Sequence, residues 1–409
     1  MEENLRRCST ASADDVPGAA KRTGTAASTA VASGVRAGVV LLLVVACATP
    51  PPVRRFAAEP IVGPPAAQLV PVSPARPPEY GPCVRVLSID GGGIRGIIPT
   101  LVLAELERRT EQPTAQGFDL IVGTSTGGIL ALGLTRPAVD GGGKAAHTAR
   151  DLTQLYEREG TTIFSPRFKA LRSLWGLFRP KYSPRGLETV LKKYFDDTRL
   201  NEALTPVEIP AYEIEERRHF FFRSAVHTFR MRDVARAATA APAYFAPVTL
   251  PIEPRFNAKG YVALIDGGVF ANNPAPYALA SAALVRPGSQ DVLMVSLGSG
   301  AVPRAMPYDE AWSWGLLGWA APLISMIFSD HGVEEAFHHV LPPGRYVRFQ
   351  TGPGGFRRDL DDASPENVQA LKRAAEHLIQ ERAEDLAGVA SLLKLPRRPD
   401  CPSRIGRRA

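Results

Sequence analysis

The chain has 409 residues, is 45% hydrophobic and 22% charged, and carries a formal net charge of +7. That balance belongs to a folded domain with a sizeable core and excludes disordered, collagenous and disulfide-dense classes. The basic residues form no patterned run with aromatics, which sets nucleic acid aside as a partner, and no Cys/His/acidic group has metal-ligand spacing, so no metal or other cofactor is expected.

Residues 1–46 read as an export leader. The first 36 are rich in Ala, Ser and Thr, with Arg6, Arg7, Lys21, Arg22 and Arg36 basic, and a ten-residue apolar run then extends from Ala37 to Ala46. Ten residues are too few for a spanning helix, which needs about 20, but suit the hydrophobic region of a signal peptide. Val44-Val45-Ala46-Cys47 resembles a bacterial lipobox, whose cysteine is acylated after cleavage. The alternative is a plain secretory signal, cut after Ala46 or Ala48, that leaves a soluble secreted or periplasmic protein. Residues 47–82 are Pro-rich, extended and semi-rigid, and read as a tether. The expected location is therefore the cell envelope, with the exported protein held on a membrane through Cys47. The mature chain stays basic, which suits an anionic membrane surface.

The domain of residues 83–396 begins with a strand, Val84–Ile89, that runs into Asp90-Gly91-Gly92-Gly93-Ile94-Arg95-Gly96. A helix is predicted from about Ile97, with Pro99 in its first turn and Leu101, Leu103, Ala104 and Leu106 as apolar positions. Glycines leading into a helix turn several N–H groups toward one point, where the helix N-terminus adds positive potential, a device for holding negative charge. No Gly-Lys-Ser/Thr closes a P-loop, and Gly91, Gly93 and Gly96 fit G-x-G-x-x-G only in part, because no acidic residue ends a second strand downstream. The preferred reading is an oxyanion hole built from Gly91, Gly92 and Gly93 together with the N–H of Thr126. Arg95 either fixes this loop, adds charge to it, or is a surface arginine at a helix start.

Phe118–Val122 reads as a second strand, Gly123-Thr124-Ser125-Thr126-Gly127 as a G-x-S-x-G turn, and Gly128 onward as an apolar helix. Gly123 and Gly127 supply the small flanks that a strained serine requires. Gly141–Gly143 reads as a flexible loop. Tyr261–Ile265 is a strand that places Asp266 at its carboxyl end, where open α/β sheets bind ligands. Gly267 and Gly268 either let substrate approach Asp266 closely or make an ordinary turn. A Ser-Asp-His triad would draw on His331, His338 or His339, but their segment reads as a polar helix rather than a loop after a strand.

Trp312–Phe328 holds three of the four tryptophans and no charge. It is either a buried helix pair broken near Pro322 or an amphiphilic cap that touches lipid. Ser364 caps a long helix to about Leu393, and residues 397–409 read as a solvated basic tail. Cys83 and Cys401, at the two ends of the domain, either pair in an oxidising envelope or remain separate thiols.

The three loops in this order, D-G-G-G-x-R-G, G-x-S-x-G and D-G-G, resemble the patatin-like phospholipase family. Ala237–Phe245 is similar to that family's A-T-S-A-A-P-x-Y-F segment, and Tyr182–Leu187 and Asp266–Pro274 are similar as well. The likeness runs from Cys83 to Gly300 and more weakly to Leu393. It implies a three-layer α/β/α sandwich with a mostly parallel sheet and a Ser-Asp dyad that works without histidine, Ser125 as nucleophile and Asp266 as base. A carboxylate is a poor base for a serine unless burial raises its pKa. The expected function is a serine lipid acyl hydrolase that cleaves fatty-acyl esters of phospholipids or lysophospholipids through an acyl-enzyme, with a lipid substrate and a membrane surface as partners. The alternatives are a lipid transacylase, or a catalytically silent lipoprotein that binds lipid or protein.

Overall fold

The computed structural model describes residues 79–401 apart from 140, 166–179, 255–256, 290, 301–305, 312–325, 327–332, 353–354, 358 and 398. The expectations for the leader, Cys47, the tether up to residue 78, the Trp312–Phe328 segment (Met326 excepted), His331 and residues 402–409 lie outside the described residues. The chain divides into two units, Met1–Ile61 with Tyr308–Ser313, and Val62–Pro307 with Trp314–Ala409. Of the first unit only the helical turn Tyr308–Ala311 is described; all the other elements belong to the second.

Every residue of β1 (Val84–Ile89) is buried. A strand covered on both faces needs helices above and below, and its side chains alternate between two cores. Leu87 and Ile89 enter one core, with the helices Ile97–Thr110, Thr126–Thr135, Ala149–Ile163, Pro184–Phe195, Met231–Ala238, Pro365–Glu381 and Ala383–Lys394. Val84 and Val86 enter the other, with Ala275–Val285 and Val333–Val340. The result is the three-layer α/β/α sandwich expected from the sequence. Among the described residues no helix is long and apolar enough to cross a membrane.

The remaining strands are β2 (Leu120–Gly123), β3 (Val207–Glu213), β4 (Arg218–Arg223), β5 (Val248–Pro251), β6 (Tyr261–Asp266), β7 (Val292–Leu297) and β8 (Tyr346–Phe349). The sheet order is β5–β6–β3–β2–β1–β7–β8, with β4 paired to β3. The pairs from β3 through β8 are parallel, whereas β4 and β6 each run antiparallel to β3, and β5 antiparallel to β6. The sheet is thus a parallel core with an antiparallel margin.

That margin positions the site. A strand has two edges, and β4 follows one edge of β3 from Glu208 to Glu213. β2 and β6 therefore share the other edge: β2 pairs with Val207 and Glu208, and β6 with Ala211 to Glu213. Because β6 runs opposite to β2, their carboxyl ends approach each other head-on across a gap of two residues on β3. Pro210, which has no N–H, falls in that gap: it pairs with Phe221 of β4 on one side, and neither β2 nor β6 pairs with it on the other. Asp266 thus reaches the catalytic edge by entering from the opposite direction, and not as the end of one more parallel strand.

Other expectations change as well. The C-terminal helix breaks at Arg382, whose guanidinium donates to the Arg348 carbonyl at 3.1 Å while the redirected second helix buries Leu386, Val389 and Leu393. Arg397 is not part of a solvated tail: its guanidinium pairs with buried Asp119 at 2.8 Å and donates to the Cys83 carbonyl, and Gly81 donates to the Pro396 carbonyl at 2.8 Å. Cys83 and Cys401 form a disulfide with their Cα atoms 5.4 Å apart, which decides the alternative left open by the sequence.

Candidate active site

The G-x-S-x-G segment joins β2 directly to the helix Thr126–Thr135. Ser125 sits at the junction with φ 53° and ψ −117°, a conformation that a non-glycine residue holds only under constraint. The constraint comes from both sides. Thr124 donates through its N–H to the Ile89 carbonyl at 3.1 Å and through its hydroxyl to the Ala271 carbonyl at 2.6 Å. A Cβ on Gly127 would stand 2.8 Å from the Asp90 carbonyl oxygen, and one on Gly123 would stand 2.8 Å from the Gly128 nitrogen. The two flanking glycines are therefore required by close backbone approach, and the turn leaves Ser125 half-exposed at the head of a buried helix.

Asp266 is fully buried. Its Oδ1 accepts the Gly268 N–H at 2.8 Å, and a Cβ on Gly267 would overlap the Pro210 carbonyl group. Oδ2 has no completed hydrogen bond, although the Ser125 hydroxyl is close enough to favour the charged carboxylate. Burial dominates and pushes the Asp266 pKa up to about 7, with the Ser125 hydroxyl and the Gly268 N–H opposing it. The carboxylate is thereby raised into the range of a useful base near neutral pH.

The glycine loop lies across from this pair. Gly91 cannot serve as an oxyanion donor, because its N–H donates to the Asn272 carbonyl at 3.0 Å. Among the described residues nothing takes the N–H groups of Gly92, Gly93 or Thr126. Gly93 has φ 58° and is pressed against the Leu360 backbone, so it combines a left-handed conformation with a close approach. Arg95 is buried rather than at the surface. It donates to the Gly92 carbonyl at 3.4 Å and the Gly300 carbonyl at 3.3 Å, tying the loop to the segment after β7, and desolvation lowers its pKa to about 10. Beneath the loop, Asp90 pairs with Arg348 of β8 at 2.6 Å, each side chain only 2% exposed.

These groups open onto one cleft of about 690 Å³, counting its open mouth. Ser125, Thr126, Asp266 and Gly91–Gly93 line it, and Ile129, Ile163, Phe164, Leu187 and Phe245 make apolar walls. No histidine lines it among the described residues, and His339 is exposed on the helix Val333–Val340. Sequence reasoning missed several supports. The Tyr156 hydroxyl bonds to that of Thr126, Asn272 holds Gly91, and Leu360 accepts the Ile94 N–H at 2.8 Å. Asn272 stood within the Asp266–Pro274 stretch that carried the resemblance. Tyr156, Arg348 and Leu360 had no local pattern to mark them.

Comparison with known proteins agrees with this geometry. The family model described as "Patatin-like phospholipase" matches residues 87–279, which include all three loops. Patatin-like protein 2 of Arabidopsis thaliana is 32% identical over 356 residues, covering 76% of this chain and 86% of that protein. Patatin-like protein 4 of the same plant is 30% identical over 349 residues, covering 74% and 85% respectively. A Solanum tuberosum protein named "Probable inactive patatin-3-Kuras 1" is 30% identical over 339 residues, covering 75% and 88%.

Proposed function

Because this chain belongs to the patatin-like phospholipase family, we propose that it is a serine hydrolase that cleaves fatty-acyl esters of phospholipids or lysophospholipids, with Ser125 as nucleophile and Asp266 as base. The observation that carries the reading is a strained serine beside a buried carboxylate whose pKa is pushed up to about 7, both lining one cleft with apolar walls.

The steps follow from that arrangement. Ser125 Oγ attacks the ester carbonyl carbon as its proton passes to Asp266. The oxygen of the tetrahedral intermediate takes negative charge within reach of the Gly92, Gly93 and Thr126 N–H groups, which are already oriented and cost no reorganisation. The intermediate collapses, the C–O bond to the alcohol breaks, and Asp266 returns its proton to the leaving oxygen. Water then attacks the acyl-enzyme, giving its proton to Asp266, and the free fatty acid leaves as Ser125 is reprotonated. Ile129, Ile163, Leu187 and Phe245 offer the acyl chain an apolar wall throughout. A fluorophosphonate is expected to label Ser125 alone, and lipid mass spectrometry is expected to find free fatty acid and a deacylated lipid. Labelling at another residue, or no fatty acid from any lipid offered, would sink the proposal.

The proposal extends to location. The Cys83–Cys401 disulfide favours an oxidising compartment, in keeping with export and with Cys47 as the acylated anchor. Labelled fatty acid is expected to enter the protein and to disappear on Cys47→Ser. An N-terminus that remains upstream of Cys47 would defeat the anchor and leave the hydrolase reading intact.

A further inference from the structure

We propose that Asp361 is a positioning residue that couples filling of the acyl cleft to the geometry of the oxyanion loop, so that turnover rises with acyl length. This inference rests on the acyl-hydrolase reading above. Asp361 and Leu360 lie beyond residues 87–279, the part of the chain matched by the family model.

The connection can be followed atom by atom. At one end, the Leu360 carbonyl accepts the Ile94 N–H at 2.8 Å, and a Cβ on Gly93 would stand 3.1 Å from the Leu360 Cβ. Any shift of Leu360 is therefore felt by Gly93, one of the N–H donors. Next along the chain, the Asp361 side chain is only 5% exposed, and its Oδ2 accepts both the Tyr182 hydroxyl at 2.5 Å and the Lys181 ammonium. A buried carboxylate with charge-assisted partners holds its place firmly.

At the other end is the cleft wall. The Tyr182 ring packs against Phe164, Phe245 and Tyr244 at centroid distances of 5.6, 5.7 and 6.5 Å, and those three residues face the cleft. Lys181 and Tyr182 donate through their N–H groups to the Ala243 and Tyr244 carbonyls, both at 2.9 Å, so the two segments move as one. An acyl chain long enough to reach Phe164 and Phe245 presses on Tyr182. Tyr182 is fixed to Asp361, and Asp361 adjoins the residue that buttresses Gly93. A two-carbon acyl group has one methyl beyond its carbonyl and is too short to press on this wall as a long chain does. Coupling through contiguous packed groups is the physical route such an effect requires.

The test measures kcat and KM separately for p-nitrophenyl acetate and p-nitrophenyl octanoate with wild type, Asp361→Asn and Tyr182→Phe. In both variants the octanoate-to-acetate ratio of kcat is expected to fall about tenfold, the effect of losing one well-placed buried hydrogen bond. The octanoate KM is expected to stay within about twofold, because the apolar wall itself is intact. Equal losses on the two esters would show a merely structural role, and an unchanged ratio would show no role; either overturns the proposal. A thermal melt reports whether Asp361→Asn folds. Tyr182→Phe removes one hydroxyl and keeps the Lys181–Asp361 pair, so it carries the test in either case. Wild-type turnover of the acetate ester, read in the same assay, reports on the hydrolase reading by itself.

Discussion

Ser125→Ala and Asp266→Asn are each expected to lower ester hydrolysis by about 10⁴-fold or more, and the double variant to be little worse than either single one, since groups that act as a unit are not additive. Gly93→Ala is expected to cost about 10²–10³ in kcat with a smaller change in KM, because a Cβ there would strike the Leu360 carbonyl and displace an N–H that acts on charge developing only in the transition state. Wild-type kcat/KM is expected to fall tenfold per pH unit below about 7, as Asp266 takes up a proton and ceases to be a base. Folding supplies an independent sign. The Asp266 pKa is raised from 3.8 to about 7 in the folded state, which therefore binds the proton more tightly than the unfolded chain does. This carboxylate's cost to stability grows as pH rises from about 4 to 7 and is complete above 7. Asp266→Asn removes that cost, so it is expected to melt higher than wild type at pH 8 while being inactive. An inactive variant that melts lower at pH 8 would mean that Asp266 supports the fold. Activity retained in Asp266→Asn but lost in His331, His338 or His339 variants would replace the dyad with a triad.

Reducing the Cys83–Cys401 bridge is expected to have the largest effect on stability away from the site. The bond closes a sequence separation of 318 residues, and loop closure on that scale contributes about 6 kcal/mol in the chain-entropy account. For a domain of this size that corresponds to a fall in melting temperature of roughly 5–10 °C. Native contacts at the bond, Arg397 with Asp119 and Gly81 with Pro396, do not depend on the sulfurs and hold the two ends together once the chain is folded. Cys83 precedes β1, whereas Ser125 follows β2, so in this parallel pair they lie at opposite strand ends. Ester hydrolysis at 25 °C is therefore expected to survive reduction while the melt shifts. Identical melts with and without reductant, or equal loss of activity and stability, would contradict this account.

The elbow was legible because its cause is local. A serine between two glycines, with an apolar strand before it and an apolar helix after it, leaves the backbone few arrangements, and Gly123 and Gly127 are small because their neighbours within the same turn and in the adjacent strand are close. The glycine loop was legible as an anion device for the same reason. Asp266 was legible as a partner only through resemblance, since Asp-Gly-Gly alone also makes a common turn.

Tertiary structure decided the rest. Which N–H groups are available depends on a carbonyl at Asn272, far along the chain, and removes Gly91 from the donor set. The head-on meeting of β2 and β6 follows from β3 offering one edge to two strands, which no window of sequence displays. The raised pKa of Asp266 exists because packing excludes water from it. Arg348 under Asp90, and Arg397 against Asp119, look like solvated charges beside their chain neighbours and are buried or half-buried ion pairs in the fold. Local spacing fixes the backbone over one turn or one strand, where steric limits act within a few residues. Charge, burial and pairing are properties of surfaces brought together from distant parts of the chain, and only the packed molecule determines them.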